Sequence, residues 1–505
     1  MIHHEAFSWR FEASSFDFAE GWVHLMGCSC SPHGMERNEM QLTLARAALP
    51  AVLLGAATSL VNFDVTAVIV AAGDIAHDLG FGVRGLAWVM DAYSIAFVAA
   101  LLSSGAMADR FGRRLVLLAG NGVFAIASVA CAAALSGEML WAARALQGVG
   151  AAGIVTGGIA LIAAAYPETG ARARALGLFG VLSGVAMALG PTLGGLITQY
   201  LGWRWIFLVN IPVCLAVGIW LPRLVPEVRE FGQRRIDVPA VCLLTVSLGF
   251  LIMGLLEAPA SPTSGAIEIG IGTAKLIAFA FQQRSAASPL LDARYLAAPA
   301  GIGVGVLLVV ASLSYWAVLV ILPAILRETF AWTASEIGWG LLLATLPMLL
   351  LPVPAARLVV HWGWRRHFAL GVALIAVGDL AVASMPLVPS RDAALVAVVI
   401  GMVVMGAGAA LVQAQLSGAL VTLAPTECAG MASAATIVFR QGGFAIGIAA
   451  LGALSLSAAS PHGHARAMLF AAVCAGAASG VALWLLPGEV PGGGRSGGAE
   501  GETRH

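Results

Sequence analysis

The stretch GAMADRFGRR, Gly105 to Arg114, decides how this chain is read. It is a short polar segment between two long apolar ones, with the pattern G-x-x-x-D-R-x-G-R-R. Gly105 and Gly112 allow a tight turn, and Asp109 suits the positive end of a helix dipole. Arg110, Arg113 and Arg114 hold such a segment on the cytoplasmic side of a membrane. Outward from it, apolar runs recur at about 49–71, 86–107, 114–135, 139–165, 175–198, 204–224, 237–257, 264–282, 300–326, 336–356, 366–386, 393–420, 429–455 and 466–486. Each approaches or exceeds the ~20 residues that carry a helix across a bilayer. The run at 264–282 is the weakest, being short and containing Glu268 and Lys275.

Composition requires the same environment. Apolar residues make up 59% of the 505 and charged residues 11%, against roughly 25% charged in soluble domains. The mean hydropathy is +0.90. The net charge is zero, so only the distribution of charge is informative. With the N-terminus in the cytoplasm, cytoplasmic segments hold 19 Lys or Arg, external segments five (Arg84, Arg204, Arg327, Arg391, Arg466), and the spans three (Arg144, Lys275, Arg440). Omitting the run at 264–282 would move Arg357, Arg365 and Arg366 outside and weaken this asymmetry, so the expectation is fourteen spans with both termini cytoplasmic.

The expected organisation is a leader over 1–44, disordered or an over-called start with the initiator at Met35 or Met40; a six-helix unit over 45–225; a linker with two accessory helices over 226–298; a second six-helix unit over 299–487; and a Gly-rich disordered tail over 488–505. The leader has no apolar run and is not a signal peptide. Seven cysteines make no disulfide framework, since four lie in apolar spans. Cys28 and Cys30 with His24 and His33 fit no standard zinc spacing, and His462 with His464 suits a solvated loop better than a metal site. No P-loop or other enzyme motif is present; neither enzymatic activity, cofactor, metal nor nucleic acid is expected.

Further motifs accompany Gly105–Arg114. Arg144, Gln147, Gly148 and Gly150 give R-x-x-Q-G-x-G; Gly190, Pro191, Gly194 and Gly195 give G-P-x-x-G-G; GWRWIFLVNIP follows from Gly202 to Pro212. NFDVTAVIVAAGDI (Asn62 to Ile75), SPLLDARYL (Ser288 to Leu296) and AGMASAATIVFRQGGFAIG (Ala429 to Gly447) complete the set. Together they resemble the major facilitator superfamily, and within it the fourteen-helix drug:proton antiporters, over about residues 45 to 487. The resemblance implies an all-α polytopic membrane fold: two six-helix bundles related by a pseudo-twofold axis along the membrane normal, two inserted helices, and a central cavity opened alternately to each side. Departures are Val360 and His361 where the second signature loop usually has an acidic residue, the charged eighth span, and Asp91 in place of a small polar residue.

Ionisable groups inside spans are functional candidates because a charge at the bilayer centre costs about 2.5–3.5 kcal/mol. At ~1.5 Å per residue, Asp64, Arg144 and Asp91 share one depth below the outer face. The expectation is that Asp64 carries the coupling proton: burial raises a carboxyl pKa and a nearby guanidinium lowers it. The alternative is a permanent ion pair that only orders helices. Asp91 reads as a second proton site or cation contact, or as a carboxylate facing interfacial water. Thr66, Gln147, Gln413, Arg440 and Gln441 are the candidates for substrate contact, and Gln415 joins them; for Gln413, Gln415 and Gln441 the alternative is a hydrogen bond to a neighbouring helix. Asp379 lies in a span expected to face lipid. Trp141, Trp203, Trp205 and Trp332 read as interfacial anchors. The reading is a monomeric, proton-coupled antiporter exporting amphipathic or cationic small molecules (drug or multidrug efflux) across a bacterial inner membrane. An uptake symporter on the same fold and a non-transporting scaffold or sensor are the alternatives.

Overall fold

The computed structural model describes residues 37–166, 168–227, 238–258, 261–285, 298–423, 429–456 and 461–489. Cys28, Cys30, His24, His33, the stretch Ser288–Leu296 and the Gly-rich tail from 490 lie outside them. Among the described residues every regular element is a helix, and each of the fourteen expected spans falls on one. α1 runs over Arg37–Leu79, α2 over Val83–Phe111, α3 over Arg113–Ala132, α4 over Gly137–Ala165, α5 over Thr169–Tyr200 and α6 over Arg204–Leu224. α7 (Val238–Glu257) and α8 (Pro262–Ser285) follow. The rest is α9 (Pro299–Phe330), α10 (Ala334–Leu350), α11 (Pro352–Ala383), α12 (Arg391–Leu423), α13 (Ala429–Leu456) and α14 (Pro461–Leu485). Among the described residues ten helices are long and apolar enough to cross a membrane, with shorter apolar stretches at Gly85–Leu101, Cys242–Leu255 and Ala334–Leu350.

Local chemistry sets several ends. Ser136 caps α4 by accepting from the Met139 amide at 3.3 Å. Thr333 and Glu336 form a capping box at the start of α10, each side chain accepting the other's backbone amide. The signature segment is not a loop. α2 continues to Phe111 and α3 starts at Arg113, so Gly105, Asp109 and Arg110 ride on the last turns of α2 and only Gly112 leaves helical geometry, at φ 115° and ψ 141°. That φ favours glycine. The α3 start is then held by Glu227, whose carboxylate accepts the amides of Arg114 (2.9 Å) and Leu115 (3.1 Å). The Arg114 guanidinium donates to the carbonyls of Pro222 and Val225 at the end of α6.

The same device recurs within α11, where Gly363 stands at φ 73° and ψ 170°. The Arg365 amide donates to the Pro487 carbonyl (3.2 Å) and its Nε to the Leu486 carbonyl (2.9 Å), past the end of α14. There main-chain carbonyls do the work that Glu227 does after Gly112. Eight residues beyond each break a glycine, Gly120 or Gly371, brings its helix against Gly150 of α4 or Gly408 of α12; a Cβ would strike the Gly150 carbonyl in the first case and the Val412 side chain in the second. Small residues at helix crossings are how membrane bundles pack closely.

The two halves meet along α5 with α10 and α2 with α13. Gly190 and Gly194 face α1, where a Cβ would meet Thr66 and Ala67, while Gly195 lies against the Ala334 carbonyl of α10 and the Pro191 carbonyl lies close to Gly338. Thr192 donates to the Gly338 carbonyl (2.9 Å), Thr345 to that of Ala188 (2.7 Å), and the Ser335 amide to Gln199 (2.9 Å). α7 and α8 touch at Gly254, Gly265 and Gly272, and Ala240, Leu244, Leu248 and Phe279 share a cluster with Val98 of α2 and Val438 of α13. Trp203 is buried, donating to Asp78 at 3.1 Å, and is not an interfacial anchor.

Replacing Gly112 by Ala should cost about 1–3 kcal/mol, since a left-handed conformation is imposed on a residue with a Cβ beside Glu227. Gly122→Ala, in the same helix with open space around the Cβ position, should be neutral or raise stability by about 0.5–1 kcal/mol. Unfolding of the purified variants in detergent checks both; equal effects would refute the account.

Candidate functional site

Four helices of the first half direct polar side chains at one point. α1 supplies Asp64, α3 Ser128, α4 Arg144 and Gln147, and α6 Asn210, all with essentially no exposure. Arg144 pairs with Asp64 through one guanidinium nitrogen, donates to Gln147 Oε1 at 2.7 Å and, through Nε, to the Val89 carbonyl at 3.0 Å. The other Asp64 oxygen accepts from Gln147 (2.9 Å) and Asn210 (3.0 Å). Ser128 accepts from Gln147 at 2.9 Å and donates to the Phe124 carbonyl at 2.8 Å. The guanidinium lies 4.5 Å from the centre of the Tyr93 ring, a cation–π contact. A carboxylate so enclosed is tolerable only because each oxygen is bonded and an opposite charge adjoins it; breaking one side of such a pair costs about 3–5 kcal/mol. The i, i+3 spacing of Arg144 and Gln147 puts both on one face of α4.

Beside this cluster lies a cavity of about 310 Å³ between the halves. α1 contributes Asn62 and Thr66, α2 Tyr93 and Phe97, α5 Phe179 and Ser183, α9 Ser312 and Trp316, and α13 Arg440, Gln441 and Phe444. The Tyr93 ring separates the cavity from Arg144. Ser312 and Trp316 bound a π turn in α9, a distortion frequent at functional sites. Toward the end where α1 stops, Arg327 of α9 grips Asp74 of α1 with two hydrogen bonds, 2.9 and 3.0 Å. With the α5–α10 bonds it joins the halves on that side of the cavity.

The fold agrees with known proteins. Residues 52–282 and 304–505 match the family model described as Major Facilitator Superfamily. The chain belongs to the Major Facilitator Superfamily. Over 235 residues it is 37% identical to a methylenomycin A resistance protein of Bacillus subtilis, a match spanning 46% of this chain and 50% of that one. Over 431 residues it is 30% identical to a methylenomycin A resistance protein of Streptomyces coelicolor, covering 84% and 89% respectively. A crystal structure of a POT family transporter in complex with a thioalcohol-conjugated peptide superposes with a TM-score of 0.64 at 14% identity, over 87% of this chain and 95% of that one; this likeness concerns the fold. The chain is thus a multi-pass membrane transporter of that superfamily.

Of the residues named from sequence, Asp64 and Arg144 are joined, whereas Asp91 is fully buried with neither oxygen bonded. Thr66, Arg440 and Gln441 line the cavity. Gln147 belongs to the Asp64 network instead, its amide committed to charged and hydroxyl partners, and Gln413 is buried in α12 off the cavity wall. Asp379 does not face lipid: it is fully buried, both oxygens unbonded. Superfamily symmetry explains its isolation. Ser128 and Asp379 each stand sixteen residues past the matching breaks at Gly112 and Gly363. The α12 residues matching Arg144 and Gln147, by their distance from Gly150 and Gly408, are Met402 and Met405. Ser128, Asn210 and Tyr93 were missed in the sequence because no motif spacing marks them, although Asn210 sits inside GWRWIFLVNIP. The π turn leaves no sequence signal.

Arg144→Gln should destabilise the protein by about 3–5 kcal/mol by leaving Asp64 charged and unpaired, and adding Asp64→Asn should restore most of the loss. Unfolding midpoints of the two singles and the double variant decide this; a double variant no better than Arg144→Gln would exclude the pair as the cause.

Proposed function

We propose that this transporter is a proton-coupled antiporter exporting amphipathic small molecules, drugs among them, across a bacterial inner membrane, as a monomer with cytoplasmic termini. The observation that carries the reading is an acid and a base, sealed from water together, one aromatic ring away from a cavity between the halves. An ionised Asp64 holds Arg144; a protonated one releases it to its remaining partners. A substrate in the cavity presses on Tyr93, whose ring supports the guanidinium, so that loading and proton release are linked. The resistance functions in the names of the Bacillus and Streptomyces relatives favour export over uptake.

Alternation requires the halves to part at one end while closing at the other. Asp74 with Arg327 and the α5–α10 bonds close the outer end in this reading, and the cavity belongs to an inward-directed state. Asp91, buried and unbonded in α2, is a second place where a proton would reside, and the small residues of Gly190–Gly195 let α5 slide against α1 and α10.

In proteoliposomes energised by a pH gradient, Asp64→Asn should reduce the proton flux coupled to 2-naphthoate or to ethidium, whichever the wild type moves, to the protein-free background, while Asp64→Glu keeps a measurable fraction. Wild-type flux in folded Asp64→Asn would end the proposal. Arg327→Gln removes a half-exposed bidentate pair, worth at most about 1 kcal/mol. It should therefore raise severalfold the rate at which an impermeant thiol reagent, added outside, labels a cysteine at Val65 in a background without native cysteines. An unchanged rate would show that the pair does not hold the outer end.

A further inference from the structure

We infer that the cavity between the halves takes substrates bearing an acidic group, a carboxylate or a comparable oxyanion, on an aromatic or otherwise apolar frame. The inference rests on the cavity being the transport site and narrows what it transports. Arg440 is the only charged side chain among the described residues that line it. It makes no hydrogen bond or ion pair with any described residue, in contrast to Arg144, Arg204 and Arg327, each of which has a carboxylate partner. No Asp or Glu lines the cavity among the described residues, so a cationic ligand would meet an uncompensated positive charge at close range in a region of low dielectric, which is repulsive. An anion meets the reverse.

Other polar groups of the same cavity offer donors to an oxyanion. Ser183 Oγ and Ser312 Oγ, on α5 and α9, are buried and have no hydrogen-bond partner, and both line the cavity. Each has a hydroxyl hydrogen to donate. The hydroxyls of Thr58 and Thr66, by contrast, are spent on carbonyls of their own helix, those of Leu54 (3.0 Å) and Asn62 (2.9 Å). Gln441 and Asn62 add amide donors. Around these stand Tyr93, Phe97, Phe179, Trp316 and Phe444, a wall suited to a flat apolar body. Asp64 offers no competing attraction for a cation, because it is fully enclosed by Arg144, Gln147 and Asn210 behind Tyr93.

The test compares 2-naphthoate with 2-naphthamide, which keeps the ring system and replaces the carboxylate by a neutral amide, and with ethidium as the cation. Binding to the full-length protein in detergent is measured by titration calorimetry, separately from transport in proteoliposomes. The expectation is that wild type binds 2-naphthoate at least tenfold more tightly than 2-naphthamide. Arg440→Gln should abolish that preference without weakening the amide, and Arg440→Lys, which retains the charge, should keep most of it. Equal affinities for acid and amide in wild type, or tighter binding of ethidium than of 2-naphthoate, would overturn the inference; this comparison needs no variant and stands if Arg440→Gln fails to fold. Preferential binding of 2-naphthoate without any proton-driven movement of it would leave the inference intact and defeat the export reading. Proton-driven movement of ethidium with no preference for the acid would do the opposite.

Discussion

A guanidinium and a carboxylate taken wholly out of water set the terms for the first half of this molecule. Neither can be left alone in a medium of low dielectric, so Asp64 obliges α1, α4 and α6 to deliver Arg144, Gln147 and Asn210 to one point, and Ser128 of α3 closes the ring. Every helix that contributes is therefore held at a particular height and rotation. The glycines that let α3 touch α4, and α5 touch α1, are what make those heights attainable. Tyr93 has a foot in each region, since its ring supports Arg144 and the residue also lines the cavity.

The second half repeats the scaffold but not the chemistry. Gly363 breaks the chain as Gly112 does, and Gly371 meets Gly408 as Gly120 meets Gly150. Yet methionines occupy the places of Arg144 and Gln147, and the aspartate standing where Ser128 would be has no partner. The charge of the second half has instead moved to α13, where Arg440 looks into the space between the halves. One half thus encloses a self-compensated acid–base pair, and the other presents to the cavity, among the described residues, a single cation. A duplicated architecture has been given two different electrostatic tasks.

Much of this could be read from the chain, and the reasons are physical. Spans announce themselves because a bilayer demands long apolar runs, and arginines mark sidedness because they resist crossing. Asp64 and Arg144 could be placed at one depth because helical rise is constant. What rotation does to a side chain is a different matter. Gln147 and Gln441 both sit in transporter-like motifs, but only the packing of α4 against α1 and α3 turns the first into the cluster, and only that of α13 turns the second into the cavity. Asp379 was expected to face lipid from the position of its span as a whole; its own rotation turns it inward. The signature segment looked like a loop because its residues are polar, whereas helix continues through it until the single glycine whose φ no helix can hold.

The two glycine breaks also differ in what secures them. After Gly112 the new helix is tied by the side chain of Glu227, and after Gly363 by carbonyls of Leu486 and Pro487. A side-chain tether is sensitive to the identity of one residue and indifferent to the main chain that follows it. A main-chain tether is the converse: almost any sequence will serve there, but an insertion or deletion between α14 and Pro487 would draw the carbonyls out of register. Evolutionary drift at the two joints should accordingly take different forms, with spelling conserved at the first and spacing at the second.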